Sequence, residues 1–83
     1  MNKEGIARWL SSYLSQTLSI ELDQVSTSTR FDEYGLDSLQ AIGLIAALAR
    51  WLGQEVGYDL FYDHPSIDDL SEHIACEHQR LMK

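Results

Sequence analysis

Cysteine, proline, basic charge and long apolar runs are all scarce in this chain, and each scarcity removes a class of protein. Cys76 is the only cysteine. It cannot close a disulfide within the chain, and a zinc site would need several further ligands. No stretch approaches the roughly 18 apolar residues of a membrane-spanning helix. The start, Met1-Asn2-Lys3-Glu4-Gly5, lacks the apolar run of a secretory leader. The expected location is therefore the cytoplasm, with no membrane contact. Six basic residues face 13 acidic ones, for a net charge of −7. A nucleic-acid backbone would be repelled by such a surface. The acidity leaves two readings open: complementarity to a basic protein partner, or solubility alone.

What is present is an ordinary globular composition, 45% hydrophobic and 23% charged, in 83 residues. That length makes one domain, expected over 1–83. A chain this short buries only about 60–65% of its unfolded surface, which leaves little room for a deep internal active site. Beginning at Met1 with short flanks, the sequence is expected to be a free-standing protein, although an excised domain would look alike.

Four helical segments follow from the periodicity. Residues 4–18 place Ile6, Trp9, Leu10, Tyr13, Leu14 and Leu18 on one face, with Ala7 beside them. Lys3, Glu4, Arg8, Ser12 and Gln16 lie mainly on the other sides. Residues 19–36 break the period, and Ser26-Thr27-Ser28-Thr29 is a poor helix former. There, Ile20, Val25, Phe31 and Leu36 are expected to anchor a long loop, of a length that is often functional. Residues 38–52 form a second helix that is apolar nearly all round, ended by Gly53. Such a helix is either buried on most sides or exposes a contact face. Residues 57–63 hold one or two helical turns, closed by His64-Pro65. Ser66-Ile67-Asp68-Asp69 opens a last helix running to about 80, with Ile67, Leu70, Ile74 and Leu81 inward and Ala75 or Cys76 alongside. The expected architecture is an all-α bundle of four helices with a short third. No repeat, strand pattern or second domain is visible.

Gly35-Leu36-Asp37-Ser38-Leu39 is the segment with chemistry in it. Gly35 permits a positive φ just before the second helix. Asp37 is a strong N-cap, and Gln40 three residues on can complete a capping box. Ser38 then becomes the first helical residue, its hydroxyl free in a field that favours negative charge. A phosphodiester would be well placed there. The tetrapeptide alone also fits a plain helix cap, because short motifs match by chance.

A wider pattern goes further. Phe31-Asp32-Glu33-Tyr34-Gly35-Leu36-Asp37-Ser38-Leu39 resembles the attachment motif of acyl carrier proteins. Leu60-Phe61-Tyr62-Asp63-His64-Pro65-Ser66-Ile67 is similar to the segment before the last helix in polyketide synthase carrier domains. The resemblance covers nearly the whole chain. It implies 4'-phosphopantetheine held covalently on Ser38 beside Asp37, loaded from coenzyme A by a phosphopantetheinyl transferase with magnesium. It implies acyl or polyketide groups carried as thioesters between enzymes, with no bond chemistry by the carrier itself. Implied partners are the ketosynthase or acyltransferase of a polyketide synthase, or an acyl-AMP ligase, to whose carriers Trp51-Leu52-Gly53 is similar. Peptidyl carriers of nonribosomal synthetases usually show Gly-Gly-(His or Asp)-Ser, and here Leu36 stands in place of the second glycine.

One departure bears on docking. Fatty-acid carriers typically bear acidic residues along the second helix, whereas Gln40 and Gly43 occupy two of those places. From Leu39 to Gln54 the only charged residue is Arg50. Partner recognition is therefore expected to rest on apolar contact from Leu39, Ile42 and Ala46, with Asp32 and Glu33 steering. Gly43 is expected to be tolerated rather than to admit a partner.

The remaining candidates have simpler explanations. His73 and His78 are five apart, which does not put two metal ligands on one helical face. With His64 they are expected on the surface, and no metal site is expected. A Ser38–histidine–acid hydrolase is conceivable, but Gly-x-Ser-x-Gly is absent. Such an enzyme would be labelled by serine-directed phosphonates. A non-catalytic helical interaction module, with Ser38 only a cap, would take no modification. Trp9, Tyr13 and Trp51 are expected in core or rim packing, with a cleft for the acyl chain at Trp51 as a sharper option. Cys76 is expected to be a half-buried small hydrophobe. Nothing demands more than a monomer.

Overall fold

A computed structural model describes residues 2–81, with side chains described through residue 77. Helix α1 runs over Lys3–Leu18, α2 over Ser38–Leu52, α3 over Tyr58–Asp63 and α4 over Ile67–Leu81. No strand is present among the described residues; Arg30 and Ser66 make one isolated antiparallel bridge.

Each helix starts and stops for a local reason. The Asn2 side chain accepts the Gly5 N–H at 2.8 Å and caps α1. Ser19 ends α1 in a left-handed conformation, φ 57°. The next turn is locked by Ser15 Oγ, which donates to the Ile20 carbonyl at 2.6 Å. Helix α2 ends at Gly53, φ 72°, where a side chain would be strained. Ser66 Oγ accepts the Asp69 N–H and donates to the Asp69 carboxylate, which secures the start of α4.

The core is a single cluster. Helix α1 supplies Ile6, Leu10 and Leu14; α2 supplies Ala41, Leu44, Ile45 and Leu48; α4 supplies Ile67, Leu70, Ile74 and Ala75. Phe61 of α3 and Phe31 of the first loop stack at 4.6 Å between ring centroids and close one end. Each fully buried Leu, Ile or Phe contributes about 1.5–3 kcal/mol of transfer free energy. Helices α1 and α4 share the most extensive helix–helix contact. Ser71, wholly buried, donates its hydroxyl to the Asp68 carbonyl, so α4 buries no unsatisfied polar group there.

The first loop is better organised than its sequence suggests. Two single 3₁₀ turns, Leu22–Gln24 and Phe31–Tyr34, interrupt it. The Phe31 N–H donates to the Pro65 carbonyl at 2.7 Å, and the Asp68 N–H to the Thr27 carbonyl at 2.9 Å. Tyr34 Oη donates to the Ser26 carbonyl and accepts the Ser26 N–H. The loop is thus tied both to itself and to the start of α4. Val25, Phe31 and Leu36 pack on the core as expected, whereas Ile20 does not join the cluster and serves through its backbone.

Three other expectations need correction or completion. Cys76 is exposed, because it falls two residues past Ile74 and off the inward stripe of α4. Trp51 stacks on Trp9 at 5.1 Å, and Trp9 on Tyr13 at 5.4 Å, as a rim ladder joining α1 and α2. His64 and His73 stack on each other at 4.2 Å, joining the end of α3 to α4. The side chains of Leu81 and His78 lie outside the described residues.

Candidate functional site

The site is built from the turn that feeds α2. Gly35 ends the second 3₁₀ turn with φ 78°, a value that disfavours any side chain, and its N–H donates to the Asp32 carbonyl. That left-handed residue lets the chain swing into an extended Asp37, φ −87° and ψ 177°. Asp37 Oδ1 accepts the Gln40 N–H at 2.8 Å, and Gln40 Oε1 accepts the Asp37 N–H at 3.2 Å. This is the full capping box expected from the sequence. The Ala41 N–H goes to the Asp37 carbonyl. The N–H groups of Ser38 and Leu39 are left as the open donors of the helix start.

With Asp37 doing the capping, Ser38 is free of that duty. It is exposed at the first position of a 15-residue helix, whose partial positive end lies beneath it. Beside it opens a cleft of about 210 Å³, walled by Asp32, Leu36, Asp37 and Ala41 on one side and by Tyr58, Phe61 and Tyr62 of α3 on the other. No histidine borders it. The Ser38–histidine–acid hydrolase alternative therefore has no histidine base lining this cleft among the described residues.

A second, drier groove continues along α2. Ile42, Ile45, Ala46, Ala49, Val56 and Tyr58 line about 430 Å³. Tyr58 lines both hollows. Leu39 is 80% and Ile42 52% exposed, and Ala46 one turn further is exposed too. The three proposed contact residues thus form one apolar strip leading away from Ser38. Asp32 and Glu33 are exposed on the 3₁₀ turn before the helix. Arg30 Nε meets Asp32 Oδ1 at 3.1 Å, with both side chains well exposed, so the pair is weak. Gly43 faces α1 rather than the outside; an added Cβ would meet Tyr13 Oη at 3.6 Å, an ordinary contact.

Two site residues were not foreseen. Tyr58 and Tyr62, four apart on α3, have hydroxyls 3.1 Å apart and rings edge to face. That hydrogen bond, and secondarily burial, raises the Tyr58 phenol above the ordinary tyrosine value. Their i, i+4 spacing was the available signal.

The family described as the phosphopantetheine attachment site matches residues 8–74. An acyl carrier protein, TtuC, of Teredinibacter turnerae is 34% identical over 74 residues, 89% of this chain and 85% of its own length. The non-reducing polyketide synthase PKS16 of Cladonia grayi is 32% identical over 76% of this chain, which spans only 3% of that synthase. The solution structure of Asl1650, an acyl carrier protein from Anabaena sp. PCC 7120 with a variant phosphopantetheinylation-site sequence, superposes with a TM-score of 0.85. It is 31% identical and covers 90% of this chain and 85% of that one. A family match over most of the length, joined to a relative of nearly the same size, makes this chain a member of the phosphopantetheine attachment-site family, an acyl carrier protein.

Proposed function

We propose that Ser38 is the residue that bears the 4'-phosphopantetheine arm, and that the chain is a single carrier domain over 1–83. One observation carries this: the Ser38 hydroxyl is exposed at the first position of α2 while Asp37 and Gln40 perform the capping. The residues present fit the group. The Ser38 and Leu39 N–H groups and the helix dipole favour a phosphodiester at the Ser38 oxygen. The adjoining cleft gives its first atoms a place to lie. When bound, the arm supplies a terminal thiol that holds an acyl group as a thioester.

The chain's own part is positional. In a transfer made by a phosphopantetheinyl transferase with magnesium, Ser38 Oγ loses its proton and bonds to the pantetheine-side phosphorus of coenzyme A, breaking the pyrophosphate and releasing adenosine 3',5'-bisphosphate. Leu39, Ile42 and Ala46 dock partner enzymes by apolar contact. Asp32 and Glu33 steer those partners before contact. Tethering raises the effective concentration of the cargo at each partner site. We further propose a polyketide pathway, with a ketosynthase or acyltransferase as partner, or an acyl-AMP ligase at its loading end. The synthase relatives and Leu36, in place of a second glycine, support that choice. The proposed location is the cytoplasm, where coenzyme A and such enzymes meet.

The test is intact mass after incubation with coenzyme A, magnesium and a broad-specificity transferase, for wild type and Ser38→Ala, with helicity confirmed for both. The expected result is one adduct on the wild type and none on the variant. A folded wild type that takes no adduct would return Ser38 to a capping-turn residue and bring the interaction-module reading forward. Equal loading of both would move the site elsewhere.

A further inference from the structure

The cleft beside Ser38 has an unusual inventory for a place that is to hold an anion. Its walls carry two carboxylates, Asp32 and Asp37, and no cation. Asp37 is committed to the Gln40 N–H, and Asp32 is paired with Arg30, whose side chain points to that carboxylate. On the α2 side, donation to a phosphodiester falls to the open backbone N–H groups of Ser38 and Leu39. Of the three side chains that α3 contributes to the lining, Tyr58, Phe61 and Tyr62, the two tyrosines bring polar groups, their hydroxyls.

Those hydroxyls are coupled. At 3.1 Å, one donates to the other. A pair of phenols holds two protons, and the internal bond uses one. Whichever tyrosine donates inward, the other keeps an O–H to give outward. The tyrosine that donates within the pair also becomes a better acceptor, and its partner a better donor, as hydrogen-bonded chains polarise one another. The edge-to-face packing of the two rings, and the stacking of Tyr58 over Phe61, hold the pair in place. Tyr58 is half-buried, while Tyr62 is 67% exposed, so the outward face of the pair is reachable.

We infer that the Tyr58–Tyr62 hydroxyl pair is a positioning site for the arm, donating a hydrogen bond to its phosphodiester from the wall opposite Ser38. The inference rests on Ser38 as the point of attachment. With donors on both walls, the phosphodiester is held across the mouth of the cleft. The rest of the arm then leaves on the Tyr58 side, toward the apolar groove along α2. Both tyrosines are positioning residues: they set where the arm starts, and take no part in transfer of acyl groups.

The experiment is phosphorus and proton NMR on the loaded protein, as wild type, Tyr58→Phe, Tyr62→Phe, the double variant and Tyr13→Phe. Tyr13 has its hydroxyl over Gly43, away from the cleft, and serves as control. Phenylalanine keeps the ring packing, and matched amide spectra would establish that the fold is retained. The expected result is a shifted phosphorus resonance in both single variants and the double variant, but not in Tyr13→Phe. In the wild type, NOEs should connect the first protons of the arm to the Tyr58 and Tyr62 rings. On loading, the Tyr58 phenol should titrate at higher pH still, because a nearby anion disfavours phenolate. Coincident phosphorus resonances in the loaded wild type and the double variant would overturn the inference and leave Ser38 as carrier intact. A wild type whose mass shows no arm at all would overturn the Ser38 assignment and this inference together.

Discussion

Helices α1 and α2 are nearly equal in length and use their surfaces in opposite ways. Helix α1 is amphipathic in the usual sense: Ile6, Leu10 and Leu14 go inward, and Lys3, Glu4, Arg8 and Gln16 face water. Helix α2 buries Ala41, Leu44, Ile45 and Leu48, yet its outward side is also apolar, with Leu39, Ile42 and Ala46 exposed. The fold needs only the inward faces. An exposed apolar strip beginning one residue after Ser38 is therefore surface kept for something other than stability. Under the proposed function, the two helices separate what holds the bundle together from what partner enzymes touch.

That separation can be broken experimentally at four places, from the largest effect to the smallest. Leu44→Ala removes a wholly buried side chain and should destabilise by about 2–5 kcal/mol in urea unfolding. Leu39→Asp should leave stability within about 0.5 kcal/mol, as for other exposed positions. It should nevertheless slow transfer to a partner enzyme about tenfold or more; normal transfer would remove Leu39 from the contact strip. Asp37→Ala takes away one half of the capping box and should cost about 0.5–2 kcal/mol by thermal melt. Gly43→Ala has room against Tyr13 and removes a flexible helix residue, so a gain of up to about 1 kcal/mol is expected, with loading unchanged. A loss of loading there would mean that the glycine admits a partner after all.

Charge offers a finer version of the same contrast. Reversal of Asp32 and Glu33 should slow partner association more at low salt than at high salt, since screening shortens the reach of exposed charges. Association that is indifferent to salt would end the steering proposal. Arg30 beside Asp32 already offsets part of that acidity, so Glu33→Lys is expected to have the larger share of the effect.

Much of this was legible in the sequence because the deciding interactions are local. The bounds of α2, the Asp37–Gln40 capping box and the Gly53 stop all involve residues within a few positions of one another. The exposed face of α2 followed from its excess of apolar residues. What escaped the sequence depends on partners far along the chain. The 3₁₀ turn at Phe31 is held by the Pro65 carbonyl, more than 30 residues away, a distance at which periodicity carries no information. His64, which ends α3, and His73, on α4, meet across the turn between those helices, a contact that periodicity does not announce. Tyr58 and Tyr62 could be placed on one face of a short helix, but not over the Ser38 cleft. Cys76 was a different kind of miss: counting round α4 from Ile74 puts it outside the buried stripe.

Under the proposed function, the hydroxyl freed by the Asp37–Gln40 cap is the one that carries the arm. Fragment-ion mass mapping of the enzymatically loaded wild type addresses it most directly. The added mass is expected to localise to Ser38 alone. Localisation to any other residue, or a folded protein that never acquires the mass, would contradict it.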